Sequence, residues 1–215
     1  MSDAHNSPSV GRPRTFDCEA ALEKALEVFW QKGYDGASLS DLTEAMGINK
    51  PSLYAAFGNK EKLFLKAIEL YENRPSSFFL PALAKPTAYE VAEHMLYGAA
   101  MNMADKSHPQ GCVIIQGALS CSEAAATVKE ELINRRIEGE LKLRERFAKA
   151  VRESDLPVDT EVEVLARYIG TVLQGMAIQA NNGSTREELM QVANIALKIF
   201  PKNDHESASA NADSV

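Results

Sequence analysis

Residues 47–60 read GINKPSLYAAFGNK, from Gly47 through Ile48, Asn49, Lys50, Pro51, Ser52, Leu53, Tyr54, Ala55, Ala56, Phe57, Gly58 and Asn59 to Lys60. Asn49 is a good N-cap, Pro51 sits in a first turn where a missing N–H costs nothing, and Gly58 ends the segment. The result is a helix of about two turns between two glycines. A helix that short gains little from its own hydrogen bonds, because nucleation is costly. Its length must answer to something outside it. Leu53 and Phe57, four residues apart, face inward, which leaves Lys50, Ser52, Tyr54 and Ala55 on the outer side.

The flanking sequence supplies the scaffold. Upstream, Asp17 caps a helix whose apolar residues Leu22, Ala25, Leu26, Phe29 and Trp30 follow the stripe of a core-facing helix, and Gly33 ends it. Ser38 opens a second helix, with Asp41 three residues on as a weak form of the capping box, and Gly47 suits its left-handed end. Downstream, Asn59 caps a fourth helix carrying Leu63, Phe64, Ala67, Ile68 and Tyr71 inward. Helix, short turn, short helix is helix-turn-helix geometry.

A short outer helix on such a scaffold can enter the major groove of DNA end-first. The small Ser52, Ala55 and Ala56 allow close approach to base edges, and Tyr54 offers a hydroxyl suited to a phosphate oxygen. Lys60 and the first-turn N–H groups of the fourth helix form a second phosphate site. Any one of these could be an ordinary surface residue; the whole run of caps, glycines, proline and spacing carries the reading.

On these residues the sequence resembles the tetracycline-repressor (TetR) family of bacterial regulators. The matching parts are FWQKGYDGASLSDLTEAMGI and KPSLYAAFGNKEKLF, within residues 15–75. The resemblance implies DNA contacts from Lys50, Pro51, Ser52 and Tyr54 on the recognition helix, with phosphate contacts from Lys60 and from Ser38 and Ser40. It further implies a homodimer that binds a palindromic operator on double-stranded DNA and is released by a small-molecule effector in its C-terminal part.

Composition is compatible with this. The chain has 215 residues, 45% hydrophobic and 25% charged, which suits a globular protein of one or two domains. The net charge of -7 argues against nucleic acid only until the cations are located. Two stretches are locally net positive: Arg12 and Arg14 in the arm, and residues 50–66, where Lys50, Lys60, Lys62 and Lys66 stand against Glu61. The two arginines flank a proline on a lead that could enter a narrow minor groove; the plain alternative is a basic solubilising tail. No apolar run approaches the roughly 20 residues of a membrane span. The N-terminus lacks a signal-peptide apolar region, and three cysteines show no zinc spacing, so a reducing cytoplasm is expected.

The sequence therefore predicts an all-α chain. Residues 1–14 form a flexible arm, 15–75 the helix-turn-helix domain, 76–200 a helical effector-binding and dimerisation domain, and 201–215 a disordered tail. Residues 75–86 read as a Pro- and Ser-rich linker, with helices following near 87–105, 112–120, 124–153, 160–182 and 185–200. The long third of these, 124–153, should turn Val128, Leu132, Ile137, Leu141, Phe147 and Val151 inward. The last two resemble the family's dimerisation helices, with Gly170, Leu173, Gly175, Met176, Ile195 and Ile199 at the interface; an intramolecular helix pair is the alternative.

Candidate effector-pocket residues are Met95, Met101, Met103, Cys112, Gln116, Cys121, Phe147 and Tyr168, although such side chains at helical spacing are more often plain core. No cofactor and no metal is expected. The competing readings are an enzyme using Cys112 with His94 or His108, a Cys112 oxidant or electrophile sensor, a copper(I) site from these histidines, cysteines and methionines, and an architectural DNA binder without a ligand.

Overall fold

The computed structural model describes residues 16–120, 122–198 and 200–201, which are all-helical. Arg12, Arg14, Cys121 and Ile199 lie outside the described residues. Helix α1 (Cys18–Gly36) is capped by Asp17, whose carboxylate accepts from the N–H groups of Glu19 and Ala20, and its helical geometry breaks at Gly33. The capping box of α2 (Leu39–Met46) is complete: Ser38 accepts from the Asp41 N–H and Asp41 accepts from the Ser38 N–H. Gly47 closes α2 at φ 67°, a left-handed conformation that costs glycine nothing. Asn49 and Asn59 cap α3 (Lys50–Phe57) and α4 (Lys60–Glu72).

Beyond α4 lie α5 (Phe79–Leu83), α6 (Ala88–Met103), α7 (Val113–Ser120), a 3-10 turn (Glu123–Ala125), α8 (Ala126–Arg152), α9 (Val162–Asn181) and α10 (Arg186–Lys198). The short α5 falls inside the stretch that reads as a linker. Its entry is pinned because Phe78 lies across Gly98 of α6, where an added Cβ would stand 2.5 Å from the phenylalanine.

Two hydrophobic cores result. The first joins Leu26, Phe29, Leu42, Leu53, Leu63, Phe64 and Ile68 of α1–α4 to Val113 and Ala118 of α7 and to Val128 and Leu132 of α8. Phe29 meets Phe64 edge-on at 5.0 Å within it. The second is built on Met95, Leu96, Phe147, Ile169, Met176, Leu197 and Phe200. The first core thus runs past residue 75 into the later helices.

Helix α8 corrects one expectation. Ile137 and Leu141 are 52% and 47% exposed, while Leu143, Phe147 and Ala150 are buried. At about 100° per residue, Ile137 and Leu141 lie on the far side of the helix from Leu132. The inner face between Leu132 and Leu143 is occupied by Arg135, Arg136 and Gly139, which border a cavity instead of filling a core.

Candidate nucleic-acid interface and cavity

The outer face of α3 is open. Lys50, Pro51 and Ala55 are exposed, Tyr54 is 48% exposed, and Ser52 and Ala56 are half-buried, while Leu53 and Phe57 anchor the helix from beneath. Pro51 occupies the first turn, and the Ser52 N–H is held by the Asn49 side chain at 2.9 Å.

Ser38 and Ser40 are exposed at the start of α2, but the Ser38 hydroxyl is engaged, donating to Asp41 at 2.7 Å. Lys32 reaches the other Asp41 oxygen at 2.6 Å. These bonds, from Lys32 first and Ser38 second, hold the Asp41 carboxyl far below the usual carboxylate range. Lys60 is placed differently from a free surface cation. Its ammonium lies over the Tyr34 ring, 4.5 Å from the centroid, and burial lowers its pKa while Asp35 opposes that shift.

Behind α4 the described residues line a cavity of about 480 Å³ between α4, α5, α6, α7, α8 and α9. Tyr71, Glu72 and Asn73 form its α4 wall, Phe78 and Phe79 cross one side, and Leu143, Ala166 and Leu173 supply an apolar surface. Arg135 of α8 ties this wall together, pairing with Glu72 of α4 and, at 2.9 Å, with Glu131. Burial raises the Glu72 carboxyl pKa despite the opposing Arg135 charge.

Of the candidate pocket residues, Cys112 and Met103 line this cavity. Met95 and Phe147 are packed in the second core, Tyr168 lies half-buried against that core, and Met101 is exposed on the surface. Gln116 borders a smaller recess between α1, α7 and α9 together with Trp30. Sequence reading missed Phe78, Phe79, Arg135 and Arg136. The two adjacent phenylalanines inside RPSSFFLPALAKP were the available signal, since a solvated linker has no use for them.

The Cys112 thiol is buried, takes a hydrogen bond from the Tyr71 hydroxyl, and has its pKa pushed up by burial. That environment favours the protonated, unreactive form. His108 stacks on Trp30 at 4.7 Å, and Trp30 meets Tyr71 edge-on. Among the described residues no group of three or more His, Cys, Asp or Glu could hold a metal ion, and no helix is long and apolar enough to cross a membrane.

On α9 and α10, Met176 is 1% exposed and Leu173 is also buried, so both belong to the protomer's own core. The outward stripe is instead Val164, Gly175 and Ile178 of α9 beside Val192 and Ile195 of α10, with Ile195 60% exposed. An added Cβ at Gly170 or Gly175 would meet nothing within 4 Å.

Residues 21–67 match the family model for bacterial regulatory proteins of the tetR family. The HTH-type transcriptional repressor ComR of Escherichia coli is 34% identical over 196 residues, covering 90% of this chain and 93% of ComR. The repressor BdcR of the same organism is 28% identical, over 86% of this chain and 90% of BdcR. A cysteine mutant of the regulator CifR, solved with 26-base-pair double-stranded operator DNA, superposes with a TM-score of 0.84 at 39% identity, covering 88% of this chain and 100% of that one.

Proposed function

The chain belongs to the bacterial TetR family of transcriptional regulators, and from that premise we infer that it is a homodimeric repressor which leaves its operator when a small molecule enters the cavity behind α4. The observation that carries this reading is the continuity of α4. Its first residue, Lys60, is separated from the reading helix α3 by only Gly58 and Asn59, and its last turn, Tyr71 and Glu72, is cavity wall. A helix of 13 residues spans about 20 Å. A ligand that displaces the Tyr71–Glu72 end therefore tilts the reading head at the other end.

In this reading α3 enters the major groove. Lys50 and Tyr54 touch phosphates at its edges, Ser52, Ala55 and Ala56 face base edges, and Ser38 and Ser40 support the backbone of the DNA. Lys60 can add a phosphate contact once its ammonium leaves Tyr34, and Arg12 and Arg14 are assigned to the minor groove. The exposed stripe of Val164, Ile178, Val192 and Ile195 meets its copy across a two-fold axis, which sets two heads one DNA turn apart. The ligand releases the DNA only in so far as it prefers the protein conformation whose heads are wrongly spaced. The protein acts in the cytoplasm and carries out no catalytic step.

The test is a titration of the purified protein against its own upstream intergenic DNA, with scrambled competitor, at about 150 mM salt. A tight complex that survives the competitor is the expected result. Binding equal to that of the scrambled DNA, followed by failure of genome-wide site selection, would replace the repressor with an architectural DNA binder.

A further inference from the structure

The cavity wall contains one polar group whose needs the protein does not meet, and it identifies the chemistry of the ligand. The charges along the α8 wall sort into three sets. Arg135 is committed to Glu72 and Glu131, and Glu140 to Arg167 at 3.3 Å. Glu138 and Lys142 are exposed and solvated at the rim. Arg136 is different: it lines the cavity half-buried, its Nε–H is shielded within the wall, and among the described residues no hydrogen bond or ion pair engages its guanidinium. Among the described residues four buried side-chain polar atoms are unsatisfied in this way, on Trp30, Arg136, Arg146 and Thr160, and of these residues only Arg136 lines the cavity.

A buried donor left unmet is costly, and more so on a charged group. From Arg136 the α8 wall runs through Gly139, against which Phe79 packs, to the buried Leu143, about 10 Å further along the helix axis. Polar demand lies at one end and apolar surface at the other. Resting on the reading that this cavity holds the effector, we propose that the effector is an amphipathic monocarboxylate, with its carboxylate on the Arg136 guanidinium and its apolar body lying along Gly139 and Phe79 towards Leu143.

The two terminal nitrogens of a guanidinium match a carboxylate end-on in two parallel hydrogen bonds, whereas a neutral hydroxyl satisfies one donor and leaves the charge uncompensated. An amine would add a second cation beside Arg136. A dianion would bring surplus negative charge close to Glu131 and Glu138, which line the same wall.

The experiment uses the full-length protein and three probes with one apolar body: phenylbutyrate, phenylbutanol and phenylbutylamine. Calorimetric titration should give phenylbutyrate an advantage of about tenfold or more over the alcohol, with the amine weakest. Arg136→Met should abolish that advantage while leaving the alcohol's affinity unchanged, and Arg136→Lys should restore only part of it; the alcohol serves as the control for an intact cavity. Equal binding of acid and alcohol overturns the proposal, as does a preference that survives Arg136→Met, or no binding of either phenylbutyrate or the longer dodecanoate. Operator binding is followed in the same preparations. Specific operator binding without carboxylate preference would remove the ligand class and leave the repressor standing. Carboxylate binding at Arg136 that leaves the operator complex intact would keep the binding site and overturn the carboxylate as the releasing effector.

Discussion

At the scale of single residues, Asp41 shows how much one carboxylate can be asked to do. It closes the α2 capping box with Ser38 and binds Lys32 of α1, so it serves both the start of α2 and a link between two helices. Its depressed pKa has a definite sign. The stabilisation is fully present above the ordinary aspartate value of about 3.9 and is lost as pH falls below it towards the lower folded value. Asp41→Asn should therefore melt below the wild type at neutral pH, and the gap in Tm should close as the pH is lowered past about 3.9. A gap independent of pH would mean that the ionised carboxylate is not what matters. Tyr54→Phe makes a different prediction: loss of a phosphate contact of about 0.5–1.5 kcal/mol, equal on operator and scrambled DNA, read by competition titration. The caps were legible in the sequence because each depends on a neighbour three residues away. The seat of the Lys60 ammonium over Tyr34 was not, since it joins residues 26 positions apart that only the folded bundle brings together.

At the scale of elements, the positions and kinds of the helices were readable, whereas the inward face of α8 was not. Periodicity assigns the available apolar residues to an inner stripe, and on α8 that assigned Ile137 and Leu141. The real inner face passes through Arg135, Arg136 and Gly139, polar or small residues that a core would exclude and a cavity requires. The clue was Gly139 itself, which costs a long helix about 1 kcal/mol relative to alanine and so needs a reason. The corrected face predicts unequal penalties for the same chemical change two residues apart. Leu143→Ala should cost about 2–5 kcal/mol in urea unfolding, while Leu141→Ala should stay within about 0.5 kcal/mol. Similar losses at both sites would return α8 to the orientation expected from its sequence.

At the scale of the whole molecule, two surfaces decide behaviour, and neither is a property of one segment. The cavity is assembled from six helices spread between residues 71 and 174, which is why composition and spacing do not mark its wall: of the candidates, Cys112 and Met103 line it, while Met101 is exposed and Phe147 is packed in the second core. The second surface is the stripe on α9 and α10. Ile195→Asp should leave the protomer folded, give a monomer in sedimentation velocity, and weaken operator binding by about a hundredfold or more, because two linked heads become one. A dimer that persists would place the interface elsewhere. The first core, finally, borrows Val113, Ala118, Val128 and Leu132 from beyond the helix-turn-helix segment. For anyone building hybrid sensors, the cutting point follows from those four side chains. A graft made at residue 75 severs a shared interior and should yield a fragment without cooperative melting by circular dichroism, whereas a seam placed after Leu132 carries the head's whole interior with it.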